Sequence, residues 1–177
     1  MRVITGKYKG RALVAPKNDA RPTLDRTKET LFNILNPVVD GAVVLDLFAG
    51  SGQLAIECLS RGADRAILCD KSQYAVAAIK QNFQKIGEKP ELFVCDYADC
   101  LARLDTKVDL VFVDPPYQAG LYLDVLENLC KRSTVQQGGI VVCEHLATDE
   151  MPNEAFEFQL YDQRKIGTVK FSFYKKV

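Results

Sequence analysis

The stretch Val108-Asp109-Leu110-Val111-Phe112-Val113-Asp114-Pro115-Pro116-Tyr117 begins as a buried strand and ends as a rigid turn. A run of branched and aromatic side chains closed by an acid and two prolines has the form of a parallel strand covered on both faces. The prolines end it. Neither can donate to a sheet ladder and each fixes its own φ, so the main chain leaves the sheet as a stiff turn presenting carbonyls without competing N–H groups. That arrangement suits an amine. The exocyclic amino group of a base has two N–H donors, which a carboxylate and a backbone carbonyl can accept together, aiming the nitrogen lone pair at an electrophile. Tyr117 can stack on the base, a contact worth roughly 1–3 kcal/mol. The plainer alternative is a strand-to-loop turn with a helix-capping Asp. The position at a strand's carboxyl end, where open α/β sheets bind ligands, favours the functional reading.

Outward from this strand the pattern alternates. Strands are expected near 43–47, 65–69, 91–95, 108–113 and 139–143, and helices near 52–61, 72–86, 97–103 and 120–131. The alternation predicts right-handed βαβ units and a parallel sheet. Then Phe156–Tyr161 and Gly167–Tyr174 follow with no room for a crossover helix, so they must pair antiparallel. A dinucleotide-binding fold would continue with helices instead. Upstream, Arg2–Thr5 and Arg11–Val14 flank Gly6-Lys7-Tyr8-Lys9-Gly10, which predicts a hairpin. Residues 15–22 read as irregular. Thr23 or Asp25 can cap the next helix, whose Leu31, Phe32, Ile34 and Leu35 share a face and which Asn36-Pro37 should end.

The first strand runs through Val44-Leu45-Asp46-Leu47-Phe48-Ala49-Gly50-Ser51-Gly52 directly into a helix. Gly50 and Gly52 let backbone approach a ligand at the helix start. Only two glycines of the three-glycine dinucleotide fingerprint are present, which suits a ligand without phosphates. Asp70, ending the second strand, can bind ribose hydroxyls. Asp96, before Tyr97 at the end of the third, can accept from an adenine amino group, and Asp46 with Asp70 brings negative potential toward a sulfonium. Singly, each acid reads as a helix cap. Four in register, Asp114 included, read as a site.

The chain has 177 residues, of which 47% are hydrophobic, enough for one domain with a full core. Cys58, Cys69, Cys95, Cys100, Cys130 and Cys143 include no C-x-x-C pair, and with one histidine no zinc set is expected. Cysteines in apolar runs suggest a reducing compartment, and the cytoplasm is expected, since Met1–Lys7 has no signal-peptide core and no run has the length of a membrane span. Net charge is zero, yet residues 1–28 hold eight bases against two acids and residues 163–177 five bases against none. Two basic ends around an acidic body suggest a polyanion-binding face, against the simpler alternative of solvated termini.

Asp46–Gly52, Asp70, Asp96 and Asp114–Tyr117 resemble class I S-adenosylmethionine-dependent methyltransferases. With Arg21-Pro22-Thr23, Asp25-Arg26, Glu29, Leu31-Phe32-Asn33, Leu35, the early Arg2–Gly6 and Lys9–Arg11, and the closing Gly167 and Tyr174, the chain is similar throughout to the RsmD family of 16S ribosomal RNA (guanine-N2)-methyltransferases. Lys7 and Asp70-Lys71-Ser72 depart from its usual pattern. The resemblance implies a Rossmann-like sheet of seven strands, order 3-2-1-4-5-7-6 with the last antiparallel, helices on both faces, and residues 1–22 as a hairpin extension of a single domain spanning 1–177. It implies catalysis by Asp114, Pro115 and Tyr117 on a flipped-out guanine. It places S-adenosyl-L-methionine against Thr23, Asp46, Phe48, Gly50, Ser51, Gly52, Asp70, Lys71, Asp96, Tyr97 and Asp114. Small-subunit ribosomal RNA, free or in an assembled particle, would meet Lys7, Lys9, Arg11, Arg21 and Arg26. A monomer with no metal is expected. An adenine-N6 or glutamine-amide methyltransferase would use a similar turn, and a non-catalytic nucleotide-binding module is the remaining alternative.

Overall fold

A computed structural model describes residues 1–18 and 23–177. Its centre is one eight-stranded sheet of β1 (Val43–Asp46), β2 (Arg65–Cys69), β3 (Glu91–Phe93), β4 (Val108–Val113), β5 (Val135–Leu146), β6 (Glu154–Ala155), β7 (Phe158–Ile166) and β8 (Val169–Lys176), in the order β3-β2-β1-β4-β5-β8-β7-β6. The first five strands are mutually parallel, while β8 runs antiparallel between β5 and β7. This is the expected order with one addition. The two-residue β6 pairs with β7 at the sheet edge, and so short a segment carries no period-2 signal by which the sequence could announce it.

Five helices, α1 (Asp25–Val39), α2 (Gln53–Ser60), α3 (Gln73–Ile86), α4 (Tyr97–Arg103) and α5 (Tyr122–Lys131), cover the two faces. Alternate strand residues divide between them. Val44, Leu68, Phe112 and Val142 pack with Phe32 and Leu35 of α1, Ile56 of α2 and Phe83 of α3. Leu45, Ile67, Val111 and Val113 pack with Leu101 of α4 and Val125 and Leu129 of α5. Strands covered on both sides need continuous apolar runs, which is what the sequence supplies.

Two local expectations change. The α1 helix passes through Asn36 and Pro37 to Val39, because the fully buried Val39 keeps the last turn on the sheet despite the missing proline donor. Its N-cap position is Leu24, with no side-chain cap, so neither Thr23 nor Asp25 performs that task.

The N-terminal hairpin is not a pair of strands. Its two arms share one bridge, Arg2 with Ala12, and the bonds Val3 N to Arg11 O (3.0 Å) and Leu13 N to Met1 O (2.9 Å). The arms lie against α2 and α3, whose side chains take backbone groups a sheet would otherwise use. Glu57 of α2 accepts from Ile4 N (3.0 Å) and Thr5 N (3.1 Å), while Ser60 Oγ donates to Thr5 O (2.6 Å) and accepts from Tyr8 N (2.9 Å). On the return arm the Tyr8 hydroxyl donates to Glu88, and Asn82 of α3 clamps Val14 by accepting from its N–H (2.8 Å) and donating to its carbonyl (2.8 Å). The bend fits only because residue 6 is glycine. At φ +90° a Cβ there would lie 1.8 Å from Ser60 O.

Candidate active-site cleft

A cleft of about 1260 Å³ opens at the carboxyl ends of the parallel strands. The loops that leave β1, β2, β3 and β4 contribute to it, and the order reversal between β1 and β4 places it where open α/β sheets bind ligands. One wall is the loop from β1 into α2, with Leu47, Phe48 and Gly50 facing the cleft. Gly50 has φ +56°, and a Cβ there would meet nothing within 4 Å, so this backbone offers a bare approach to a ligand. Asp70, after β2, holds the loop in place. Its two oxygens accept from Gly50 N (2.9 Å) and Ser72 N (2.9 Å), leaving further lone pairs for hydroxyl donors. Asp96 accepts from Ala98 N (2.8 Å) as the N-cap of α4 and also lines the cleft. Tyr97 donates to Asp124 and tilts against Phe48 with ring centroids 5.7 Å apart. Burial, then the bond to Asp124, pushes its hydroxyl up to about 12.

The opposite wall is the turn after β4. Asp114, Pro115, Pro116 and Tyr117 all reach the cleft, and Tyr117 opens a single 3-10 turn, Tyr117–Ala119, closed by Ala119 N to Pro116 O (2.9 Å). The Tyr117 hydroxyl donates to Glu144 Oε1 (3.1 Å), and the Tyr122 hydroxyl donates to the Glu144 carbonyl (2.7 Å). The turn is thus braced from β5.

Of the predicted cofactor residues, Thr23, Phe48, Gly50, Asp70, Lys71, Asp96, Tyr97 and Asp114 line this one cleft. Asp46, Ser51 and Gly52 do not. Ser51 Oγ accepts from Gln53 N (3.3 Å) behind the loop. A Cβ on Gly52 would lie 3.1 Å from Leu68 and 3.3 Å from Ile79, so that glycine permits packing on β2 and α3 rather than ligand approach. Asp46 is 1% exposed beneath the loop and its Oδ1 has no hydrogen-bond partner.

Burial, reinforced by the charge of Asp70 and opposed by the Phe48 N–H, raises Asp46 to about 7. A carboxyl raised from an unfolded value near 4 binds a proton more tightly when folded. Its contribution is therefore favourable at acid pH and is lost as pH climbs from about 4 to 7, by up to about 4 kcal/mol. Asp46→Asn is expected to flatten this slope and to be more stable than the parent at pH 8 in urea unfolding. Parallel pH profiles for the two proteins would show that Asp46 is ionised without cost.

The predicted RNA contacts divide. Arg26 lines the cleft, whereas Arg21 lies outside the described residues. Lys7, Lys9 and Arg11 do not share the face of Tyr117. The bend that carries Lys7 packs on Ser60 and Glu88, beyond the carboxyl-terminal ends of α2 and α3, and the eight-residue α2 sets it about 12 Å from the glycine loop. A helix that starts at the ligand-binding edge must end at the other edge. The basic hairpin is thereby carried away from the cleft, while Lys165, Gly167 and Thr168, at the bend between β7 and β8, stand on its wall. Sequence reading also missed Glu144. The signal was present as an acid ending the apolar run Ile140–Cys143, the same signature that identified Asp114. The neighbouring His145 is fully buried and bonds to Leu146 O (2.9 Å) and Ser172 Oγ (2.7 Å). Among the described residues, no His/Cys/Asp/Glu group could hold a metal and no helix is long and apolar enough to cross a membrane.

A parallel sheet closed by an antiparallel hairpin, with an acid at the carboxyl end of each cleft-facing strand, is the architecture of class I methyltransferases. The chain belongs to the family described as conserved hypothetical protein 95, matched over residues 1–175, and so to the RsmD group that its motifs resemble. It is 32% identical to the ribosomal RNA small subunit methyltransferase D of Escherichia coli (strain K12), over 99% of this chain and 90% of that one. The protein of the same name from Haemophilus influenzae is 30% identical over 99% of this chain and 93% of its own length. The solved structure of a hypothetical protein from Thermus thermophilus superposes with a TM-score of 0.84 at 27% identity, covering 98% of both chains.

Proposed function

We propose that this chain, as one domain carrying residues 1–22 as an extension, transfers a methyl group from S-adenosyl-L-methionine to the exocyclic N2 amine of a guanine in small-subunit 16S ribosomal RNA. The observation that carries the reading is the sharing of one cleft by the Asp114–Tyr117 turn and the Gly50, Asp70 and Asp96 wall. The residues present fit such a cofactor. Open space over Gly50 admits a ligand to the backbone, Asp70 and Asp96 offer acceptors for ribose hydroxyls and an adenine amine, and Phe48 and Tyr97 supply apolar and aromatic surface. When bound, the cofactor supplies an electrophilic methyl carbon on a sulfonium. Asp114 and the Pro115 carbonyl accept the two amine hydrogens, which fixes the nitrogen lone pair along the line of attack. Tyr117, steadied by Glu144, lies against the base. Positioning of this kind supplies roughly 7–11 kcal/mol of barrier lowering. Arg26, Lys71 and Lys165 at the mouth supply charge for phosphates flanking a flipped base.

The names of the relatives support RNA as the substrate, and the acceptor pair supports an amine as the target. Mass-spectrometric mapping of modified nucleosides in RNA from cells lacking the gene tests the assignment. Loss of one N2-methylguanosine from small-subunit RNA is the expected result, and an unchanged nucleoside profile would sink it. For the cofactor, Asp70→Ala is expected to weaken S-adenosylmethionine binding by about 1–3 kcal/mol, the cost of unpaired hydroxyls and a released Gly50 loop. Calorimetric titration giving the parental affinity would remove Asp70 from the cofactor's contacts.

A further inference from the structure

Glu144 puts a second acid beside the Asp114–Tyr117 turn, and bracing Tyr117 uses only one of its two oxygens. It is 8% exposed, its Oε1 holds the Tyr117 hydroxyl, and its Oε2 is a buried oxygen with no hydrogen-bond partner. A buried acceptor left unmatched is costly, so its place on the wall of a cleft calls for a donor supplied from outside the chain. Register says where that donor would come from. Val113, the last residue of β4, pairs with Cys143 of β5 in parallel across a backbone spacing of roughly 4.8 Å, and Asp114 and Glu144 are the residues that follow each. Both line the cleft beside Tyr117.

Two adjacent carboxyl groups match one base edge better than others. Guanine presents its N2 amine and its N1–H as neighbouring donors, whereas adenine presents an amine beside an N1 lone pair. Building on the methyltransferase reading above, we propose that Glu144 reads the base by accepting the guanine N1–H, while Asp114 and Pro115 hold the amine. Adenine, whose amine is on C6, could reach the clamp only with its ring turned over, whereas 2-aminopurine keeps the C2 amine in the same pose and sets a bare N1 lone pair against Glu144, acceptor facing acceptor. Glutamine at this position could turn its amide to donate to that lone pair, so it should tolerate both guanine and 2-aminopurine.

The test uses small subunits reconstituted with RNA that carries either guanine or 2-aminopurine at the mapped position. Glu144→Gln is expected to lower the guanine-to-2-aminopurine ratio of kcat/KM by about 10- to 100-fold relative to the parent, with calorimetric affinity for S-adenosylmethionine retained. A ratio that stays at the parental value, or equal loss of both activities with the cofactor still bound, overturns the proposal. A second measurement needs no variant. With 2-aminopurine at the mapped position the reacting amine remains but the N1–H is gone, and the parent protein is expected to lose about 10-fold or more in kcat/KM. Equal use of guanine and 2-aminopurine by the parent overturns the role of Glu144 while leaving amine methylation intact. A parent protein that methylates no guanine amine would instead remove the underlying reading, and this inference with it.

Discussion

Asp114→Ala is expected to lower single-turnover methylation by about 10³-fold or more while S-adenosylmethionine affinity stays within about twofold of the parent. The size follows from what is lost. Without the carboxylate, one amine hydrogen has no acceptor and the nitrogen lone pair is no longer aimed, forfeiting part of the roughly 7–11 kcal/mol that orientation supplies. Asp114→Asn keeps one carbonyl acceptor and should fall between alanine and the parent. Quench-flow measurement with saturating RNA separates this from a binding effect. A parental rate in the alanine variant would remove the amine clamp from the mechanism.

The largest effect on stability is expected at Glu57, far from any reacting atom. This fully buried carboxylate accepts from Ile4 N, Thr5 N and Arg61 Nε (3.1 Å), and lies 3.9 Å from the equally buried Lys28 ammonium. Burial already pushes Lys28 below its usual value, and the charge of Glu57 is the chief force opposing that shift. Glu57→Ala takes away the ammonium's buried counter-charge, leaving it Arg2 O and the partly exposed Asp25 at 3.8 Å, and strands two backbone donors as well, so a loss of about 3–5 kcal/mol is expected in urea unfolding. Adding Lys28→Met should recover part of it, since the double variant no longer buries an uncompensated charge. A Glu57→Ala midpoint equal to the parent's would mean that the Glu57 bonds add nothing to what already holds the N-terminal arms.

What the sequence makes legible is what is locally encoded. The βαβ alternation, the antiparallel finish and the strand-ending acids each follow from runs of four to ten residues whose period or punctuation belongs to them alone. Placement is different. Lys7 and Lys9 look like neighbours of the Asp114–Tyr117 turn by charge, yet their position is set by Ser60 and Glu88, more than 50 residues away, which no local pattern reveals. Asp46 and Asp114 carry the same signature, but one is sealed under a loop and the other opens on the cleft, because the β1 loop folds back over its strand end while the two prolines carry the β4 turn away. Glu144 shows the converse. Its signature matches Asp114, and only the register between β4 and β5 makes the two a pair.

The arms of the N-terminal segment also set an order of events during synthesis. Val3, Tyr8 and Leu13 are buried in the finished protein, but the partners of this segment stretch to Glu88, 80 residues downstream of Tyr8. At translation rates of 5–20 residues per second, those partners emerge about 4–16 s after the segment itself. The segment therefore waits for partners made after it, and for that interval an apolar, basic tether trails from the ribosome that is making it.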